Sequence, residues 1–131
     1  MITRTDLRRL AKARLADAMV LFRGKRYDGA IYLCGYTIEL VLKARICTTL
    51  QWKEYPETVN EFRDYNSLKT HKLDVLLHFS GREARVKTRH LAEWSEVAKW
   101  EPEVRYRKVG SATRADARAM LQAAGGLLKV L

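Results

Sequence analysis

Between Asp6 and Arg23 the apolar side chains Leu7, Leu10, Ala11, Leu15, Ala18, Leu21 and Phe22 recur every few positions. They fall within roughly 140° of a helical wheel, with Arg8, Arg9, Lys12 and Arg14 largely outside that arc, which predicts a surface helix with one buried face. Gly24-Lys25-Arg26 interrupts the pattern. Asp28 is placed to cap a second helix, from about Gly29 to Leu50, because its carboxylate can accept from the orphan amides of a first turn. Ala30, Ile31, Leu33, Cys34, Ile38, Leu40, Val41, Leu42, Ala44 and Ile46 leave that helix almost no polar face. It is therefore expected at the centre of the fold, surrounded by protein.

Residues 51–69 carry Pro56, Asn60, Asn66 and several acids, and lose the strong periodicity. A long connection with one short helix is expected there. Thr70 is placed as an N-cap for a helix over His71–Phe79, with Leu73, Leu76 and Leu77 inward, stopped by Ser80-Gly81. A longer helix is predicted over Glu83–Trp100 with Trp94 and Val97 in the core, ended ahead of Pro102 because the residue before proline disfavours helical geometry. Thr113 and Asp116 have the spacing of a capping box opening a last helix, which points Ala117, Met120, Leu121, Ala124, Leu127 and Leu128 inward. Gly125-Gly126 either weakens that helix or permits close packing. No strand, repeat or low-complexity stretch is recognisable, so the expected fold is all-α, an antiparallel up-and-down bundle of four or five helices.

The chain has 131 residues, the usual size of one domain, and one domain over 1–131 is expected. The tract from Ala30 to Leu42 contains Glu39 and is too short for a bilayer span, which needs about 20 mostly apolar residues. Cys34 and Cys47 would lie about 20 Å apart on one helix, beyond disulfide reach. Free thiols, with Met1-Ile2-Thr3-Arg4 leading straight into a charged helix, make the cytoplasm the expected compartment.

Charge widens the functional question. Lys and Arg number 25 against 15 Asp and Glu, a net charge of +10 that favours polyanionic partners. Arg4, Arg8, Arg9, Lys12, Arg14, Arg23, Lys25 and Arg26 crowd the first helix and its turn, where a solvated face is the ordinary explanation. Arg105-Tyr106-Arg107-Lys108 joins cations to an aromatic ring, a set suited to clamping phosphate while stacking on a base. In the structural alternative Arg105 pairs with a carboxylate such as Glu39 and Tyr106 packs in the core. Glu39 and Lys43 stand one turn apart with the carboxylate N-terminal, the favourable order for an intrahelical ion pair, and are read as a structural polar network. His71 and His78 lack the Cys or acidic companions of a metal site, and no phosphate-binding glycine loop or nucleophile elbow is present, so no metal or cofactor is expected.

The second helix, with Gly35-Tyr36, Glu39 and Lys43, resembles the HEPN family of small helical bundles. Thr70-His71-Lys72-Leu73 and Val104-Arg105-Tyr106 follow in the family's order, and the resemblance covers nearly the whole chain. It implies homodimerisation, association with nucleotidyltransferases in toxin–antitoxin pairs and, for many members, metal-independent ribonuclease activity through an Arg-x(4 to 6)-His motif shared across a dimer. No histidine follows Arg105, where that motif is expected. Arg85 and His90 have the bare spacing upstream, although on a regular helix their side chains would diverge by about 140°. Chemically the pair is competent: His90 can take a proton from a ribose 2′-hydroxyl while Arg85 or Arg105 holds the scissile phosphate. The leading expectation is a HEPN-like module that binds RNA, nucleotide or a partner protein in a defence or toxin–antitoxin system. The alternatives are a metal-independent endoribonuclease and a non-catalytic structural interaction domain.

Overall fold

The computed structural model describes residues 1–131, apart from the side chain of Arg105. Among the described residues the α-helices are α1 (Arg4–Arg23), α2 (Tyr27–Thr49), α3 (Leu73–Phe79), α4 (Glu83–Arg89), α5 (Leu91–Val97) and α6 (Arg114–Val130). Short 3₁₀ turns occupy Asn66–Leu68 and Pro102–Tyr106. A two-residue antiparallel pair, β1 (Ile2–Thr3) with β2 (Glu54–Tyr55), joins the start of the chain to the long connection. This pair departs from the strand-free expectation, since two residues are too few to show alternation.

Contacts between the helices give their directions. Thr37 Oγ1 donates to Ala11 O, and Arg4 reaches Thr48, so α1 and α2 are antiparallel. Asp28 meets Gly110 and Ala112 while Arg45 meets Leu131, so α6 runs parallel to α2. Lys25, with φ of 60°, makes the tight turn between α1 and α2. The centre is α2, whose Ala30, Cys34, Ile38, Val41, Leu42, Ala44, Ile46 and Cys47 have no exposed surface. This is the result of a sequence with almost no polar face, and it leaves the chain's other helices to pack around it. Leu73, Leu76, Leu77, Trp94, Val97, Met120 and Leu127 are buried as the periodicity implies. Among the described residues no helix is long and apolar enough to cross a membrane.

Local details differ from expectation. The helix predicted over Glu83–Trp100 is two helices, because His90 (φ −132°, ψ 33°) leaves helical geometry. Val86 is the one buried residue of α4, so little apolar surface holds α4 and α5 to one straight axis, and the bend lets α5 lie against α6. Asp28 sits inside the first turn of α2 and does not cap it. Thr70 is not the cap of α3, which begins at Leu73; its hydroxyl instead accepts from the Lys72 amide in a local turn. The Thr113–Asp116 capping box forms as predicted, and Gly81 takes the left-handed conformation, with φ of 74°, just beyond α3.

Candidate functional site

The start of α2, the end of α5, the turn Pro102–Tyr106 and the start of α6 meet at one end of the bundle. Asp28 organises them: its two carboxylate oxygens accept from the Gly110 amide at 2.7 Å and the Ala112 amide at 3.0 Å. These bonds span 82 and 84 residues, and they tie the loop ahead of α6 to the central helix. The carboxylate also lies near the positive end of the α2 dipole, which favours its charge. On the segment leading into that loop Tyr106 is 77% exposed and Val109 91% exposed, with Arg107 and Lys108 exposed between them. Neither Arg107 nor Lys108 forms a salt bridge among the described residues. The alternative that Tyr106 packs in the core is thereby excluded. Arg105 lies outside the described side chains, and so does its suggested pairing with Glu39.

Beneath the loop is a cleft of about 280 Å³ bordered by Asp28, Glu96, Lys99, Trp100, Arg107 and Met120. Lys99 is bound to Glu96 at 2.9 Å, and that hydrogen bond holds the ammonium above its ordinary range. The Thr113 amide holds Asp116 below the usual carboxylate range. Trp100 forms the inner wall. Its ring packs on Gly35, where a Cβ would lie 2.2 Å from ring atoms, so α2 admits the indole only because residue 35 has no side chain. Trp100 is 5% exposed and its indole N–H has no hydrogen-bond partner, an unusual state for a buried donor. The same residue borders a second, open cleft of about 600 Å³ with His71, Lys72, Asp74, Glu101 and Glu103.

Glu39 is 1% exposed and holds two partners through one oxygen: Lys43 Nζ at 2.9 Å and His71 Nδ1 at 2.5 Å. Lys43 also stands over the Tyr55 ring, 5.5 Å from its centroid, and Tyr55 donates to Leu68 O at 2.8 Å. The predicted Glu39–Lys43 pair is present, and the His71 arm extends it across 32 residues to the start of α3. A buried carboxylate needs such partners to offset its lost hydration, and here they fasten the long connection to α2.

Arg85 is exposed on α4, and His90 is half-buried at the bend between α4 and α5. No hydrogen bond joins them among the described residues. Burial pushes the Cys34 thiol up to about 12, so Cys34 is an un-ionised core side chain with no nucleophilic role at neutral pH.

A family model described as HEPN domain matches residues 5–131. The chain belongs to the HEPN family. No curated protein matches it, and no solved structure does. In HEPN terms, the Gly-Tyr-x-x-Glu-x-x-x-Lys helix is a packing device: Gly35 receives Trp100, while Glu39 gathers Lys43 and His71. The Thr-His-x-Leu element supplies that histidine, with Leu73 buried beside it. Membership supports a nucleotide- or RNA-related or toxin–antitoxin role at the level of class. Sequence reading missed Trp100 as the partner of Gly35 and Asp28 as the anchor of the loop, since neither relation leaves a local spacing signal.

Proposed function

We propose that this HEPN domain is a binding module for RNA or nucleotide, using the exposed loop of Tyr106, Arg107 and Lys108 together with Arg105. It acts in the cytoplasm as a homodimer, with a nucleotidyltransferase-type protein as partner in a toxin–antitoxin or defence system. The observation that carries the reading is the set of exposed cations flanked by an exposed aromatic ring on a loop pinned by Asp28. Cations free of carboxylate partners suit phosphates, and a ring at the surface suits a base.

The test is fluorescence anisotropy with labelled single-stranded RNA. Arg107→Gln/Lys108→Gln should weaken binding about tenfold or more, the loss of one to two charge-assisted contacts. Equal affinity of wild type and double variant at low salt ends this assignment. A second reading, metal-independent endoribonuclease, draws on the bend at His90, which removes the regular helix that would hold Arg85 and His90 apart. RNA cleavage in EDTA that disappears in His90→Ala would favour it; cleavage unchanged in that variant marks a contaminant.

A further inference from the structure

Some cations of α1 have ordinary neighbours. Arg9 lies 3.8 Å from Asp6 and Arg14 lies 3.4 Å from Asp17, both exposed pairs within one helical turn. Arg4 and Arg8 behave differently and reach towards the ends of α2 and α6. Arg8 Nη2 donates to Leu131 O at 3.1 Å, and Arg45 donates to the same oxygen through Nε at 2.8 Å and Nη2 at 2.5 Å. Arg4 Nη1 reaches Thr48 Oγ1 at 3.4 Å. Arg82 follows Ser80-Gly81, and because Ser80 O accepts from Thr49 Oγ1 and Gly81 faces Thr49, this arginine is brought to the same end of α2. Burial first, then the charges of Arg82, Arg8 and Arg4, push the Arg45 guanidinium below its ordinary value.

Four guanidiniums from three separate parts of the chain are thus gathered, and among the described residues none of them forms a salt bridge. Like charges brought together repel, and the effect is strongest where they are partly withdrawn from water. The negative ends of α2 and α6 offset part of that repulsion. A carboxylate at Leu131 would neutralise one of the four, leaving a surplus. Beside them opens a cleft of about 380 Å³, bordered by Arg4, Thr5, Thr48, Trp52 and Lys53 and by no carboxylate. Arg4 and Thr48 belong to both cluster and cleft. Guanidinium forks and threonine hydroxyls are donors matched to phosphate oxygens.

We propose that this end of the bundle is a phosphate-binding site, where Arg4, Arg8, Arg45 and Arg82 hold a phosphate monoester or diester entering through the cleft beside Thr48. It is separate from the loop of Arg107 and Lys108. Asp28, which anchors that loop, and Arg45 are about 26 Å apart along α2 at the usual helical rise. The phosphate can come from a free nucleotide or from an RNA backbone, and the chemistry of capture is the same.

Inorganic phosphate, adenosine monophosphate and a short oligouridylate are titrated by calorimetry at constant ionic strength set with sodium chloride. Wild type and Arg9→Gln, a change at an exposed arginine paired with Asp6, should bind inorganic phosphate alike, with shifts of arginine side-chain N–H resonances on binding. Arg4→Gln/Arg82→Gln, which leaves the Leu131 clamp of Arg8 and Arg45 intact, should lose about tenfold in affinity. Arg4→Lys/Arg82→Lys, with charge but no fork, should fall between. Tighter binding of the mononucleotide than of phosphate identifies a nucleotide as the source, and tighter binding of the oligonucleotide alone identifies a strand. If wild type binds phosphate no better than chloride, or the Gln variant binds as wild type does, the site does not exist. Circular dichroism checks folding, and if the Gln variant is unfolded the Lys variant and the wild-type resonance shifts decide between the two outcomes.

Discussion

Gly35 and Gly125 illustrate how one residue type carries opposite consequences in one bundle. At Gly35 the space a methyl would need is filled by the Trp100 ring, 2.2 Å from the Cβ position. Trp100 is buried between α2 and two clefts, and moving it disturbs both. Gly35→Ala should therefore destabilise by roughly 3 kcal/mol, the upper end of ordinary overpacking. At Gly125 a Cβ meets nothing within 4 Å. Gly125→Ala should stabilise by up to about 1 kcal/mol, because alanine removes the entropic cost of a helical glycine. Urea unfolding of both variants checks the contrast, and a loss at Gly125 or tolerance at Gly35 contradicts the packing described. From sequence, Gly125-Gly126 could be read either way, since spacing says nothing of what lies above a helix surface. Glu39 teaches the same lesson: the one-turn rule finds Lys43, whereas His71 lies 32 residues away and only folding brings it near.

At the scale of elements, periodicity is informative wherever a helix buries a continuous stripe. The first, central and last helices are legible to within a few residues, and so is the capping box, a local motif of side chains and amides. The bend at His90 is not, because Thr88, Arg89 and His90 include no glycine or proline and the break follows from how α5 meets α6. The loop ahead of α6 is likewise set by a distant carboxylate. Asp28 supplies both acceptors for its amides, so Asp28→Ala should release the loop while leaving α2 helical. Amide exchange at Gly110 and Ala112 should accelerate, and RNA affinity should fall a few-fold as ordering of the loop becomes part of the cost of binding. Unchanged exchange in that variant would mean that other contacts hold the loop. The four candidate loop residues are legible as a charge and aromatic cluster, but the anchoring of the loop at Gly110 is not, because the carboxylate that holds it is 82 residues away.

For the whole molecule, a net charge of +10 becomes interpretable once its distribution is known. Some of the 25 cations are spent in exposed one-turn pairs such as Arg9–Asp6 and Arg14–Asp17, which contribute little. The remainder includes two separated groups at opposite ends of α2, the loop cations and the arginines around Leu131. Salt dependence can count how many of them meet phosphates. For a single strand the slope of log affinity against log salt is about −0.7 for each phosphate neutralised, so removing Arg107 and Lys108 should flatten it by about 1.4. Removing Arg4 and Arg82 should flatten it by a similar amount only when one strand spans both ends. Light scattering under the same conditions sets the stoichiometry: a dimer offers each strand two loops, whereas a mass equal to one chain at every concentration removes the shared site on which the endoribonuclease reading depends. A slope that stays constant in both double variants would show that the charge of this HEPN domain acts as a diffuse field, and that neither end of α2 grips phosphate.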